Sequence, residues 1–182
     1  MVLFGLNAEA QTFTDIQARL TGVSGSACNW IDYDQDGDLD VFVTGEFYLS
    51  NRHQISTKLY RNDRHDQFSE VPTNIANVYR GAFDWADENL DGIKDLFLIG
   101  KDARGKAFAT LYLGNRSTHF TPVQLGIPGL MDGSVAWGDY DGDGDMDLLL
   151  TGESSKGPVS RIYRNDRFHH FRDIHAGLPG LH

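Results

Sequence analysis

The chain has 182 residues, 40% of them hydrophobic, and a formal net charge of −10. That length suits one domain with a real core, that composition excludes disorder, and that acidity excludes a nucleic-acid surface. No apolar run reaches the ~18–20 residues of a membrane span, the opening residues do not read as a secretion signal, and the lone Cys28 excludes an intrachain disulfide and is expected to pack as a small apolar residue.

In chain order, Leu3-Phe4 and Phe13-Thr14-Asp15-Ile16 read as the last two strands of a half unit over 1–19. Three full units follow, over 20–72, 73–124 and 125–182. Each opens on a strand carrying Trp30, Trp85 or Trp137, two residues ahead of an acidic turn. After the turn come the apolar runs Leu39-Asp40-Val41-Phe42-Val43, Leu96-Phe97-Leu98-Ile99 and Leu148-Leu149-Leu150. A third strand forms around Leu59-Tyr60, Leu111-Tyr112 and Ile162-Tyr163, and a fourth opens at Phe68, Phe120 and Phe171. Nothing shows sustained helical periodicity. The spacing is 55 residues from Asp36 to Asp91 and 52 from Asp91 to Asp143. Four short strands repeated at that period predict an all-β chain of β-propeller blades, about three and a half of them. Such a count makes either a segment of a larger ring, seven blades being one such size, or a partial ring whose copies self-associate to complete it; the segment is the favoured reading.

The acidic turns are Asp32-Tyr33-Asp34-Gln35-Asp36-Gly37-Asp38-Leu39-Asp40, Asp87-Glu88-Asn89-Leu90-Asp91-Gly92-Ile93-Lys94-Asp95 and Asp139-Tyr140-Asp141-Gly142-Asp143-Gly144-Asp145-Met146-Asp147. Oxygen-bearing side chains stand at positions 1, 3, 5 and 9 and glycine at 6, while position 7 varies as a backbone-carbonyl ligand would allow. Carboxylates converging on a tight turn repel one another unless a hard cation lies between them, and calcium accepts six to eight oxygens in irregular cages. Three calcium loops are the reading; their cations would bring the charge of −10 to −4.

The phrase from Trp137 to Leu148 resembles the FG-GAP and VCBS repeats, the blades of integrin α-subunit propellers and of many bacterial surface proteins. The resemblance covers nearly the whole chain and fits the bacterial form better, since the Phe-Gly and Gly-Ala-Pro phrases are nearly absent. It implies one calcium held by Asp32, Asp34, Asp36, Asp40 and the Asp38 carbonyl. A second is implied at Asp87, Asn89, Asp91, Asp95 and the Ile93 carbonyl, and a third at Asp139, Asp141, Asp143, Asp147 and the Asp145 carbonyl. Asn89 removes a charge, so the middle site is expected to be weakest.

Rival readings fit less well. An EF-hand needs a glutamate at position 12, where this chain has Val43, Leu98 and Leu150. Gly100-Lys101-Asp102-Ala103-Arg104-Gly105-Lys106-Ala107 resembles a phosphate loop but lacks the Ser or Thr and the following helix. His65, His119, His169 and His170 fall in turns between third and fourth strands and read as hairpin tips. The opposite end of each unit is freer to vary. There Phe47, Tyr48 and Arg52, in the connection from Glu46 to Gln54, and Tyr79-Arg80 are candidate ligand-binding residues. The expectation is a non-catalytic, calcium-stabilised module for adhesion or for protein or glycan recognition, extracellular, at the cell surface or in the periplasm. The alternatives are the propeller part of a carbohydrate-active lyase or hydrolase, and a structural spacer.

Overall fold

The computed structural model describes residues 12–180, and all twelve of its elements are strands. Leu3-Phe4 and Leu181 lie outside the described residues. The first sheet is built of β1 (Ser24–Ile31), β2 (Asp40–Leu49), β3 (Arg52–Asn62) and β4 (Phe68–Val71). The second holds β5 (Tyr79–Ala86), β6 (Asp95–Lys101), β7 (Ala107–Leu113) and β8 (Thr121–Val123). The third holds β9 (Met131–Gly138), β10 (Asp147–Ser154), β11 (Gly157–Asn165) and β12 (Phe171–Asp173). In each sheet every strand pairs antiparallel with its sequence neighbour. The described residues thus form three propeller-like four-stranded blades, and the sheets do not close on one another. The segment 13–16, expected as a fourth strand, is unpaired, and Phe13 is fully exposed.

The continuous apolar run of β6 is explained by its two buried faces. Leu96 and Leu98 pack with Phe42, Leu59, Phe83 and Tyr112 at the seam between the first and second blades. Phe97 and Ile99 turn the other way, onto Leu130, Val135, Leu148 and Leu150 at the second seam. Trp85 stands edge-on to Phe42 at 5.3 Å and 88°, and Trp137 stands edge-on to Phe97 at 6.2 Å and 89°. Each tryptophan thus faces the blade before its own. Trp30, at the same place in the first blade, has no described blade to face and is 57% exposed. Leu149, in the register position of Phe42 and Phe97, is likewise 40% exposed on the far side of the third blade.

Cys28 differs from expectation. It shares the uncovered face of β1 with Trp30 and is exposed, because no described sheet packs over it. The inner strands also share a bulge near their starts, with Gly25, Arg80 and Asp132 at φ 52°, 50° and 51°. At the second bulge a Cβ on Gly81 would sit 2.2 Å from the Ile99 carbonyl oxygen, so no larger residue fits there.

Candidate metal centres

Each acidic turn connects the first two strands of its blade, and its side chains are first spent on folding the turn itself. At position 1, Asp32, Asp87 and Asp139 accept from the amides of positions 5 and 6. At position 5, Asp36, Asp91 and Asp143 accept through Oδ1 from the amide of position 7, at 2.8–2.9 Å. The chain takes the left-handed corner twice: at position 6 with Gly37, Gly92 and Gly144, and at position 4 with Gln35, Leu90 and Gly142. Those two corners turn alternate side chains inward.

Position 9 ties the turn to the rest of the blade. Asp40, Asp95 and Asp147 are at most 2% exposed. Each accepts through Oδ2 from the position 2 amide and through Oδ1 from an amide at the end of its third strand: Asn62, Asn165, or Gly114 one residue past the strand. Burial pushes the Asp40 carboxyl up to about 6 and that of Asp95 up to about 7, and raises that of Asp147 as well. The backbone donors work against these shifts without cancelling them, which leaves the ionised forms under-compensated.

Oxygens of Asp32, Asp34 and Asp40 lie within 4.8 Å of one another, as do those of Asp139, Asp141 and Asp147. Asp34 Oδ1 is buried and has no hydrogen-bond partner. A convergent carboxylate with an orphaned oxygen is the chemistry that a hard cation satisfies, so these residues fit the ion that the repeat implies. The middle turn has Asn89 in place of a third carboxylate and forms no such group. Asp36, Asp91 and Asp143 stand outside the close groups. The Asp38 and Asp145 side chains are occupied elsewhere: each binds an arginine of its own blade's last turn, Arg64 at 2.5 Å and Arg167 at 2.8 Å. Arg116 holds the same place in the second blade, where Ile93 offers no carboxylate.

At the opposite end, the stretch from Glu46 to Gln54 is not a loop. It continues β2 and β3 into a hairpin closed by Ser50 and Asn51 at φ 50° and 60°, the two-residue turn that suits strand twist. Tyr48, 70% exposed, lies 5.5 Å from the His53 ring, which meets Tyr79 edge-on at 5.2 Å. His53 also contacts Glu46 at 2.6 Å. The structure thus joins Tyr48 and Tyr79 through His53, a residue the sequence reading passed over although it stands directly opposite Tyr48 in register. Strand alternation sends Phe47 to the other face, where its cross-strand partner is Gln54. Arg52 is exposed near the tip, and Arg80 is held by Asp132 of the third blade at 2.6 Å.

Three antiparallel four-stranded sheets, each carrying an acidic turn between its first two strands, define a repeat protein of propeller-like blades. The FG-GAP-like repeat profile matches residues 32–98 and 87–150, and the chain belongs to that family. No curated protein and no solved structure shows a significant match to it.

Asn165 is the other residue that sequence reasoning missed. Its Nδ2 donates to the Met146 carbonyl of its own turn at 3.2 Å and to the Glu88 carbonyl of the preceding turn at 3.0 Å. Its Oδ1 also accepts from the Arg167 amide at 2.9 Å. Asn62, in the same place on the first blade, likewise accepts from the Arg64 amide at 2.9 Å, but its Nδ2 donates to the Leu39 carbonyl of its own turn at 3.1 Å and to no neighbouring turn. Asn165→Ala is expected to cost about 2–3 kcal/mol, because it strands buried carbonyls, and Asn62→Ala about 1 kcal/mol. Urea unfolding of the two variants checks the difference.

Proposed function

We propose that the chain is a calcium-stabilised, non-catalytic propeller module that displays a recognition surface outside the cytoplasm. The observation that carries it is the orphaned Asp34 Oδ1 inside a close group of three carboxylates, repeated as Asp139, Asp141 and Asp147 in the third blade. Turns of this acidity are held by a divalent cation that is abundant at the extracellular face, where such modules bind with roughly millimolar affinity. The cations would fix the turns between first and second strands, and the fixed blades would present the opposite hairpins. There the exposed Tyr48 ring, the Glu46–His53 pair and Arg52 offer a stacking surface with polar groups beside it, suited to a glycan or a protein loop.

Calorimetric titration of the full chain with calcium tests the first half. Three binding events are expected, with the middle turn weakest because Asn89 removes one charge. Under graded chelation that site should empty first, and equal or greater affinity there refutes the ordering. Glycan and protein arrays test the second half: Tyr48→Ala should abolish any signal while leaving the calcium isotherm unchanged.

A further inference from the structure

The second and third acidic turns are joined through a buried residue, whereas the first meets the second only through an exposed side chain. Asn165 lies at the hub, 1% exposed, with contacts to both turns. Its amide holds Oδ1 of Asp147 at 2.8 Å, and its side-chain amide bridges the Met146 and Glu88 carbonyls. The Glu88 amide in turn holds Oδ2 of Asp95 at 3.0 Å. A path of single hydrogen bonds therefore runs from the position 9 carboxylate of one turn to that of the next. A second strut lies beside it: Glu88 Oε2 contacts His169 Nδ1 at 2.8 Å, and His169 belongs to the same turn as Arg167, which grips Asp145.

Among the described residues no buried bridge of this kind crosses the other seam. The place of Asn165 in the second blade is taken by Gly114, which supplies the same amide, to Asp95 at 2.9 Å, but has no side chain to reach back. A Cβ there would sit 2.2 Å from the Lys94 carbonyl oxygen, so the position admits no asparagine. Tyr33 replaces Glu88 and Thr118 replaces His169, which removes the acid–base strut. The first two turns meet through Gln35 Nε2, which donates to the Gly92 carbonyl at an exposed site.

We propose that Asn165 is a positioning residue shared by two cation sites, so that the second and third turns bind their ions cooperatively while the first binds independently. This rests on the calcium reading above. Ordering either turn fixes the carbonyl that Asn165 grips, and so orders the turn on the other side. Linkage makes the effect reciprocal. The weaker ligand set of the middle turn is thereby supported by its neighbour.

The test is calcium titration of the full chain, three single variants and one double variant, with heats resolved into stepwise constants. Asp139→Ala, which disables the third site, should weaken the second site about tenfold, within the usual range of coupling between sites. Asp32→Ala, which disables the first, should leave the second unchanged. Asn165→Gly, which copies the residue at 114, should remove the steepness of the two-site phase, and adding it to Asp139→Ala should cause no further loss at the second site. A purely structural asparagine would instead lower all three affinities together. If Asp139→Ala fails to fold by circular dichroism, the Asn165→Gly isotherm alone decides, and a retained steep phase overturns the proposal. Three independent sites in the unsubstituted chain overturn it and leave the calcium reading standing. An isotherm with no calcium heat overturns both.

Discussion

Measured against calcium at about a hundred times its Kd, chelation is expected to lower the melting temperature of this chain by on the order of 20 °C. A ligand at a hundred times its Kd contributes about 2.7 kcal/mol per independent site, and about 8 kcal/mol over three. For a domain of this size each kcal/mol moves the midpoint by roughly 2–4 °C. That sum is comparable to the whole stability of an ordinary domain, so the stripped chain should stand near its unfolding threshold. The dependence on pH should change sign with the metal. Asp40 and Asp95 titrate in the fold at about 6 and about 7, above the ordinary carboxylate, and Asp147 is also raised. The fold therefore holds these protons more tightly than the open chain does, and protonation favours folding. In chelator their contribution is greatest below the unfolded carboxylate range, near pH ~4, and is lost as pH rises through about 6 and about 7. Calcium competes with the proton for the same oxygens, so in calcium stability should instead rise over that interval. Thermal melts at matched pH, with calcium and with chelator, measure both effects. Identical midpoints in the two series would remove the cations from any account of this fold.

The blades were legible because two periods coincide in the sequence. The repeat of acidic turns fixed the unit, and the tryptophan before each turn and phenylalanine after the last hairpin fixed its ends. The run Leu96-Phe97-Leu98-Ile99 further marked a strand buried on both faces, which a sheet flanked on both sides requires. The acidic turns were legible for a local reason: carboxylates at alternate positions of one short loop need no tertiary information. What crosses a seam was not legible. Asn165 looks like any hairpin asparagine until the preceding blade brings the Glu88 carbonyl to it, across 77 residues of chain. His53 acquires its place between Tyr48 and Tyr79 only because β5 packs beside the first hairpin. Cys28 was misjudged for the same reason in reverse, since burial on a blade face depends on a neighbouring sheet that composition does not reveal. The hairpin from 46 to 54 hid its strands because polar and aromatic residues alternate there without a buried face to give a clear hydrophobic period.

The seams make a sharp mutational contrast between two residues at one register position. Phe97→Ala should cost about 3–5 kcal/mol, the usual loss for removing a phenylalanine from a closed core. Its ring is fully buried, packs among Leu111, Leu130 and Leu148, and receives the edge of Trp137 at 6.2 Å. The surrounding strands cannot collapse into the gap, because β6 is held by β5 and β7 on its edges and by buried side chains on its other face. Leu149→Ala, at the same place in the third blade, should cost under about 1 kcal/mol, since that side chain is 40% exposed and no described blade covers it. Denaturant midpoints of the two variants, with slopes unchanged, measure the difference directly. Near-equal losses would mean that something covers the far face of the third blade in solution, and a Leu149→Ala loss that grows with protein concentration would identify the cover as another copy of the chain.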